Sequence, residues 1–69
     1  MDTVEKLRCL DSTLRYLASG REEAAHGDDI GKAEEIDVQW RMFDGKRQEL
    51  ISRATDKELI AYELARHSA

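Results

Sequence analysis

Apolar residues recur along this chain in alternating steps of three and four. Ala33, Ile36, Trp40, Phe43, Arg47, Leu50 and Ala54 follow that spacing without interruption, which is the period of an α-helix. At 100° per residue they stay within a stripe about 100° wide, so one side of a long helix carries the only Trp and the only Phe. Val4, Leu7, Leu10, Leu14 and Leu17 repeat the spacing near the start. They follow Asp2-Thr3-Val4-Glu5, in which a capping acceptor precedes a glutamate by three residues.

The breaks in this pattern divide the chain. Gly27-Asp28-Asp29 joins a conformationally permissive residue to two good helix-capping residues, and predicts a turn. A connection this short folds the second helix back antiparallel to the first. Gly20 offers an earlier end to helix 1, but Ala24 and Ala25 carry its apolar phase onward, so the helix runs over about 3–19 or on to 26. Asp44-Gly45 could stop helix 2, yet the phase continues from Phe43 to Leu50 and favours one helix over about 29–54. Thr55-Asp56-Lys57-Glu58 repeats the capping pattern and predicts helix 3 over about 56–67. The expected fold is therefore all-α, a small helical hairpin or three-helix unit forming a single domain. Its expected core is Leu7, Leu10, Leu14 and Leu17 from helix 1, Ile36, Trp40, Phe43 and Leu50 from helix 2, and Leu59, Ile60 and Leu64 from helix 3.

Length changes this picture. A domain of 69 residues buries little surface and usually gains stability from disulfides, a metal or a second copy of itself. Cys9 is the only cysteine, so no intrachain disulfide forms, and a lone thiol suits a reducing compartment. Val38 and Met42 lie about 180° round helix 2 from the Trp40 stripe, with Gly45 beside them. That second apolar side predicts a contact surface, and with the thin core it predicts a homodimer that completes a helical bundle. No run of about 18 apolar residues and no basic, apolar leader is visible, so the expectation is a cytoplasmic chain without a membrane.

Charge sharpens the expected partner. The net charge is −4, and the acids concentrate around the first turn as Glu22, Glu23, Asp28, Asp29, Glu34, Glu35 and Asp37, against Lys32 alone. This run reads as a solvated helix end, or as an acidic face offered to a protein with a basic surface. The bases Arg41, Lys46, Arg47, Arg53, Lys57 and Arg66 are interleaved with acids, and no positive stripe for nucleic acid results. Arg47 breaks the apolar stripe, and is expected to snorkel to the bundle edge unless it pairs with a carboxylate.

Chemistry-bearing constellations are sparse. Glu23 and His26 share a helix face in a spacing used by di-metal bundles, but one such pair supplies too few ligands. Asp28-Asp29-Ile30-Gly31 lacks the alternating ligands of a calcium loop. Cys9 has no positioned base, and no glycine-rich phosphate loop occurs. The leading expectation is a non-enzymatic protein-interaction module without cofactors, an accessory regulator of the kind small phage or bacterial genes encode, docking on a larger protein. A dimeric DNA-binding regulator is the alternative from another class, and a metal-binding bundle the remote one.

Overall fold

The helix boundaries are set by side chains that close the open ends of the backbone. In the computed structural model, which describes residues 1–67, the elements are α1 (Thr3–His26), α2 (Ile30–Arg53) and α3 (Asp56–His67). Asp2 caps α1, its carboxylate accepting the Glu5 N–H at 2.8 Å. Asp29 caps α2 by accepting from the Lys32 N–H at 3.1 Å. At α3 the box is reciprocal: Thr55 Oγ1 accepts the Glu58 N–H at 3.2 Å, and Glu58 Oε1 accepts the Thr55 N–H at 2.9 Å.

The hairpin turn uses its residues economically. The Asp29 N–H donates to the Ala24 carbonyl at 2.9 Å and the Asp28 N–H to the Ala25 carbonyl at 3.2 Å, the double closure of a Schellman C-terminus. Asp29 thus ends one helix and begins the next. The left-handed position this closure requires is held by Asp28, at φ 59°, and Gly27 sits at an ordinary φ of −85°.

Gly20 and Gly45 both lie inside their helices, which resolves helix 1 in favour of the longer form. Gly20 is where α2 comes close, since a Cβ there would stand 3.5 Å from Ile36 Cδ1.

α1 and α2 form an antiparallel pair with a heptad seam. Thr3, Leu7, Leu10, Leu14, Leu17, Arg21 and Ala24 line it on α1, and the Ala33-to-Ala54 stripe lines it on α2; every one of them is buried or half-buried. The 3-4 spacing on both helices keeps the two stripes in contact along their length. Cross-seam ion pairs Arg21–Asp37 and Asp11–Arg47, each at 2.8 Å, set its register.

α3 runs back beside the first half of α1. Its 12 residues span about 18 Å against about 36 Å for the 24 of α1, so the tip half of the hairpin has no third helix over it. The molecule measures 44 × 23 × 17 Å, and its radius of gyration of 14.1 Å exceeds the roughly 11 Å of a compact domain this long.

The core is correspondingly small, comprising Leu7, Leu14, Leu17, Ala24 and Tyr62 among the described residues. Three expectations are corrected here. Ile60 and Leu64 are 62% and 68% exposed, and Tyr62, at 1%, fills the place expected of them. α3 turns this way because Tyr62 presents both a ring for the seam and a hydroxyl for the polar pair beneath it. No α2 residue is fully buried, so Ile36, Trp40, Phe43 and Leu50 face the seam half-buried, and Leu10 of α1 and Leu59 of α3 are likewise only half-buried. Arg47 does not snorkel to the edge, because Asp11 holds it.

Candidate functional site

Three surfaces carry the residues that could act on another molecule. The first is a polar node where all three helices meet. Arg47 from α2 donates through Nε to Asp11 Oδ1 of α1 at 2.8 Å, and through Nε and Nη2 to the Tyr62 hydroxyl of α3 at 3.2 and 3.1 Å. The Tyr62 hydroxyl in turn donates to Asp11 Oδ2. The guanidinium carbons of Arg47 and Arg66 stand 5.8 and 5.4 Å from the centre of the Tyr62 ring, a cation–π arrangement on a buried aromatic.

The electrostatics follow from burial. Burial and the Asp11 carboxylate push the Tyr62 hydroxyl above its ordinary value, with Arg47 pulling the other way. For Arg47, burial disfavours the charge, but hydrogen bonds to Tyr62 and Asp11 outweigh it and hold the guanidinium above its ordinary value. Each polar group here is satisfied by another, and the side chains of Arg47 and Asp11 are only 21% and 18% exposed. The node is therefore a clasp that orients α3 on the hairpin.

Beside the node, an open groove of about 840 Å³ runs from Met1 along α1 to Ala18 and reaches α3 at Arg66. Arg8, Cys9, Arg15, Trp40 and Asp44 are among the residues that line it. Cys9 is exposed.

The second surface is the back of α2. Val38 and Met42 are exposed on the side away from α1, and a Cβ on either Gly31 or Gly45 would meet nothing within 4 Å. The outer side of α3 adds Ile60 and Leu64. These two were legible as apolar residues one turn apart, but the direction of that turn depends on the tyrosine between them.

The third surface is the hairpin tip. Glu22, Glu23, Asp28, Asp29, Glu34 and Glu35 are all exposed there, and none forms an ion pair among the described residues. Asp37 leaves this set, because it bridges Arg21 at 2.8 Å and Arg41 at 3.1 Å. Glu23 and His26 lie on this end of α1, and no group of three or more metal-ligating side chains comes together among the described residues.

The bases named in the sequence are mostly engaged elsewhere. Arg41, Arg47, Arg53 and Arg66 each salt-bridge a carboxylate. No described helix is long and apolar enough to cross a membrane. No family model, no characterised protein and no solved structure matches the chain.

Proposed function

We propose that this chain is a non-enzymatic protein-interaction module that works as a homodimer and docks, as an accessory regulator, on a larger protein with a basic surface. The observation that carries this reading is the outward placement of Val38, Met42, Ile60 and Leu64 on a molecule that buries only five apolar residues among those described, two of them fully. Apolar residues paired one helical turn apart on two outer faces suit helix-to-helix contact with another chain. The unpaired acids of the tip add charge complementarity to a basic partner, which speeds encounter and selects against acidic surfaces. The pairing of five arginines, Arg21, Arg41, Arg47, Arg53 and Arg66, with the chain's own carboxylates favours this over direct binding of nucleic acid, which relies on free cations.

A tagged pull-down from the source cell tests it, run with the wild type, Val38→Glu/Met42→Glu, Ile60→Glu/Leu64→Glu and a charge-reversed tip carrying Glu22→Lys, Glu23→Lys, Glu34→Lys and Glu35→Lys. One protein should be retained by the wild type and released by the tip variant and by rising salt. Recovery of nucleic acid alone, or of a protein that every variant retains equally, would overturn the docking reading.

A further inference from the structure

Resting on the homodimer reading, and going further than it, we propose that two copies pair back to back through α2, antiparallel, about a two-fold axis level with position 40. The back of α2 carries its own 3-4 repeat: Gly31, Glu35, Val38, Met42, Gly45 and Glu49. All six are exposed. A two-fold at position 40 exchanges 38 with 42, 35 with 45 and 31 with 49. Each Val38 then meets a Met42 of the other copy, and each glutamate meets a glycine.

The glycines provide the space this requires. With nothing within 4 Å of a Cβ at Gly31 or Gly45, a neighbouring backbone can approach there, and the stem of a facing glutamate can lie across the gap. The next residue after each glycine is a lysine, Lys32 or Lys46. Glu35 of one copy therefore reaches Lys46 of the other, and Glu49 reaches Lys32. Within one chain Glu35 and Lys32 have no ion-pair partner among the described residues, and Lys46 lies over the Phe43 ring at 5.4 Å. Glu49 alone is already engaged, to Arg53 at 2.8 Å on the surface.

Competing arrangements do worse. A parallel pair stacks Glu35 on Glu35 and Glu49 on Glu49, opposing like charges. A shift of one heptad in the antiparallel pair sets Val38 against a glutamate. Of these arrangements the two-fold at 40 alone sets apolar against apolar in the central layers and glutamate against glycine, with a lysine beside it, in the outer ones, a self-complementarity that a symmetric interface demands. It also points the two acidic tips to opposite ends of the dimer, where both remain free to dock.

Sedimentation equilibrium of the full chain over a micromolar range, with Gly45→Leu beside the wild type, tests the pairing. A Cβ at 45 meets no atom of its own chain within 4 Å, the position is exposed, and leucine is a better helix former, so helicity by circular dichroism should hold or rise. It fills the space of the facing Glu35 twice per dimer, so the dissociation constant should rise at least about tenfold. A mixture of Cys9→Ser/Glu35→Cys and Cys9→Ser/Gly45→Cys should cross-link between the two variants, with neither cross-linking to itself. Self-cross-linking at position 35, or a Gly45→Leu dimer as tight as the wild type, would overturn this pairing and leave the docking function standing. A wild-type chain that stays monomeric throughout would overturn the homodimer reading as well.

Discussion

Asp11 is the residue on which most of the fold's specificity converges. Its two oxygens take Arg47 and Tyr62, and Arg66 approaches to 3.9 Å. Asp11→Ala leaves a guanidinium and a buried hydroxyl facing each other without their acceptor, and such a loss costs about 1–3 kcal/mol. In a domain of this size that lowers the melting temperature by roughly 4–8 °C per kcal/mol, measurable by thermal circular dichroism. Tyr62→Phe keeps the ring and removes only the hydroxyl, at a cost of about 1 kcal/mol. Its diagnostic lies in the pH dependence. The Tyr62 hydroxyl titrates later in the folded than in the unfolded chain, so its contribution is fully present below the ordinary tyrosine value and is lost as pH rises through the raised one. Urea titrations across the alkaline range should show stability falling there in the wild type, and less steeply in Tyr62→Phe. The node was half legible: Arg47 stood out as a cation in an apolar stripe, but Asp11 and Tyr62 lie 36 and 15 residues away. Helical periodicity says nothing about which residues meet at that separation.

At the scale of the helices, the starts were readable because each is written in local chemistry, while the end of α1 stayed open between about 19 and 26. Asp2, Asp29 and Thr55 all cap where a capping residue precedes a periodic run. What local pattern misjudged was the rotation of α3: the expected core face held Leu59, Ile60 and Leu64, whereas the face turned inward carries Tyr62. The clasp to Asp11 and Arg47 sets that rotation. The hairpin turn holds a different surprise, an aspartate in the left-handed position beside a glycine that does not use its freedom. Asp28→Gly should therefore stabilise the hairpin by about 0.5–1 kcal/mol, read as a higher urea midpoint at unchanged slope. α3 is held at its start by Glu58, whose carboxyl lies below its ordinary value because it accepts from the Thr55 backbone, with further help from the hydroxyls of Thr3 and Thr55. That contribution is present above the ordinary glutamate value and disappears as pH falls through the depressed one. Acidification should accordingly lower amide protection factors in α3 before it does so in the α1–α2 seam, and Thr55→Ala should bring the same loosening to neutral pH.

For the whole molecule, length and width are out of proportion. A 44 Å rod with a 17 Å minor dimension cannot surround its own apolar residues, and the five side chains buried among the described residues make a small core for three helices. For the proposed dimer, the consequence is thermodynamic coupling between folding and association. If the native state is the back-to-back dimer, each tenfold rise in concentration adds about 1.4 kcal/mol to the stability of the pair relative to two unfolded chains. Spread over the unfolding entropy of two chains of this length, that raises the melting temperature by roughly 3–6 °C per decade. A monomer unfolding to a monomer gives no shift at all. Calorimetric scans of the wild type over two decades of concentration should show the rise, and Gly45→Leu should flatten it even though its individual helix is the better former. A flat wild-type response would mean that the exposed faces of α2 and α3 are reserved for another protein, and that the half-covered hairpin is stable without a second copy.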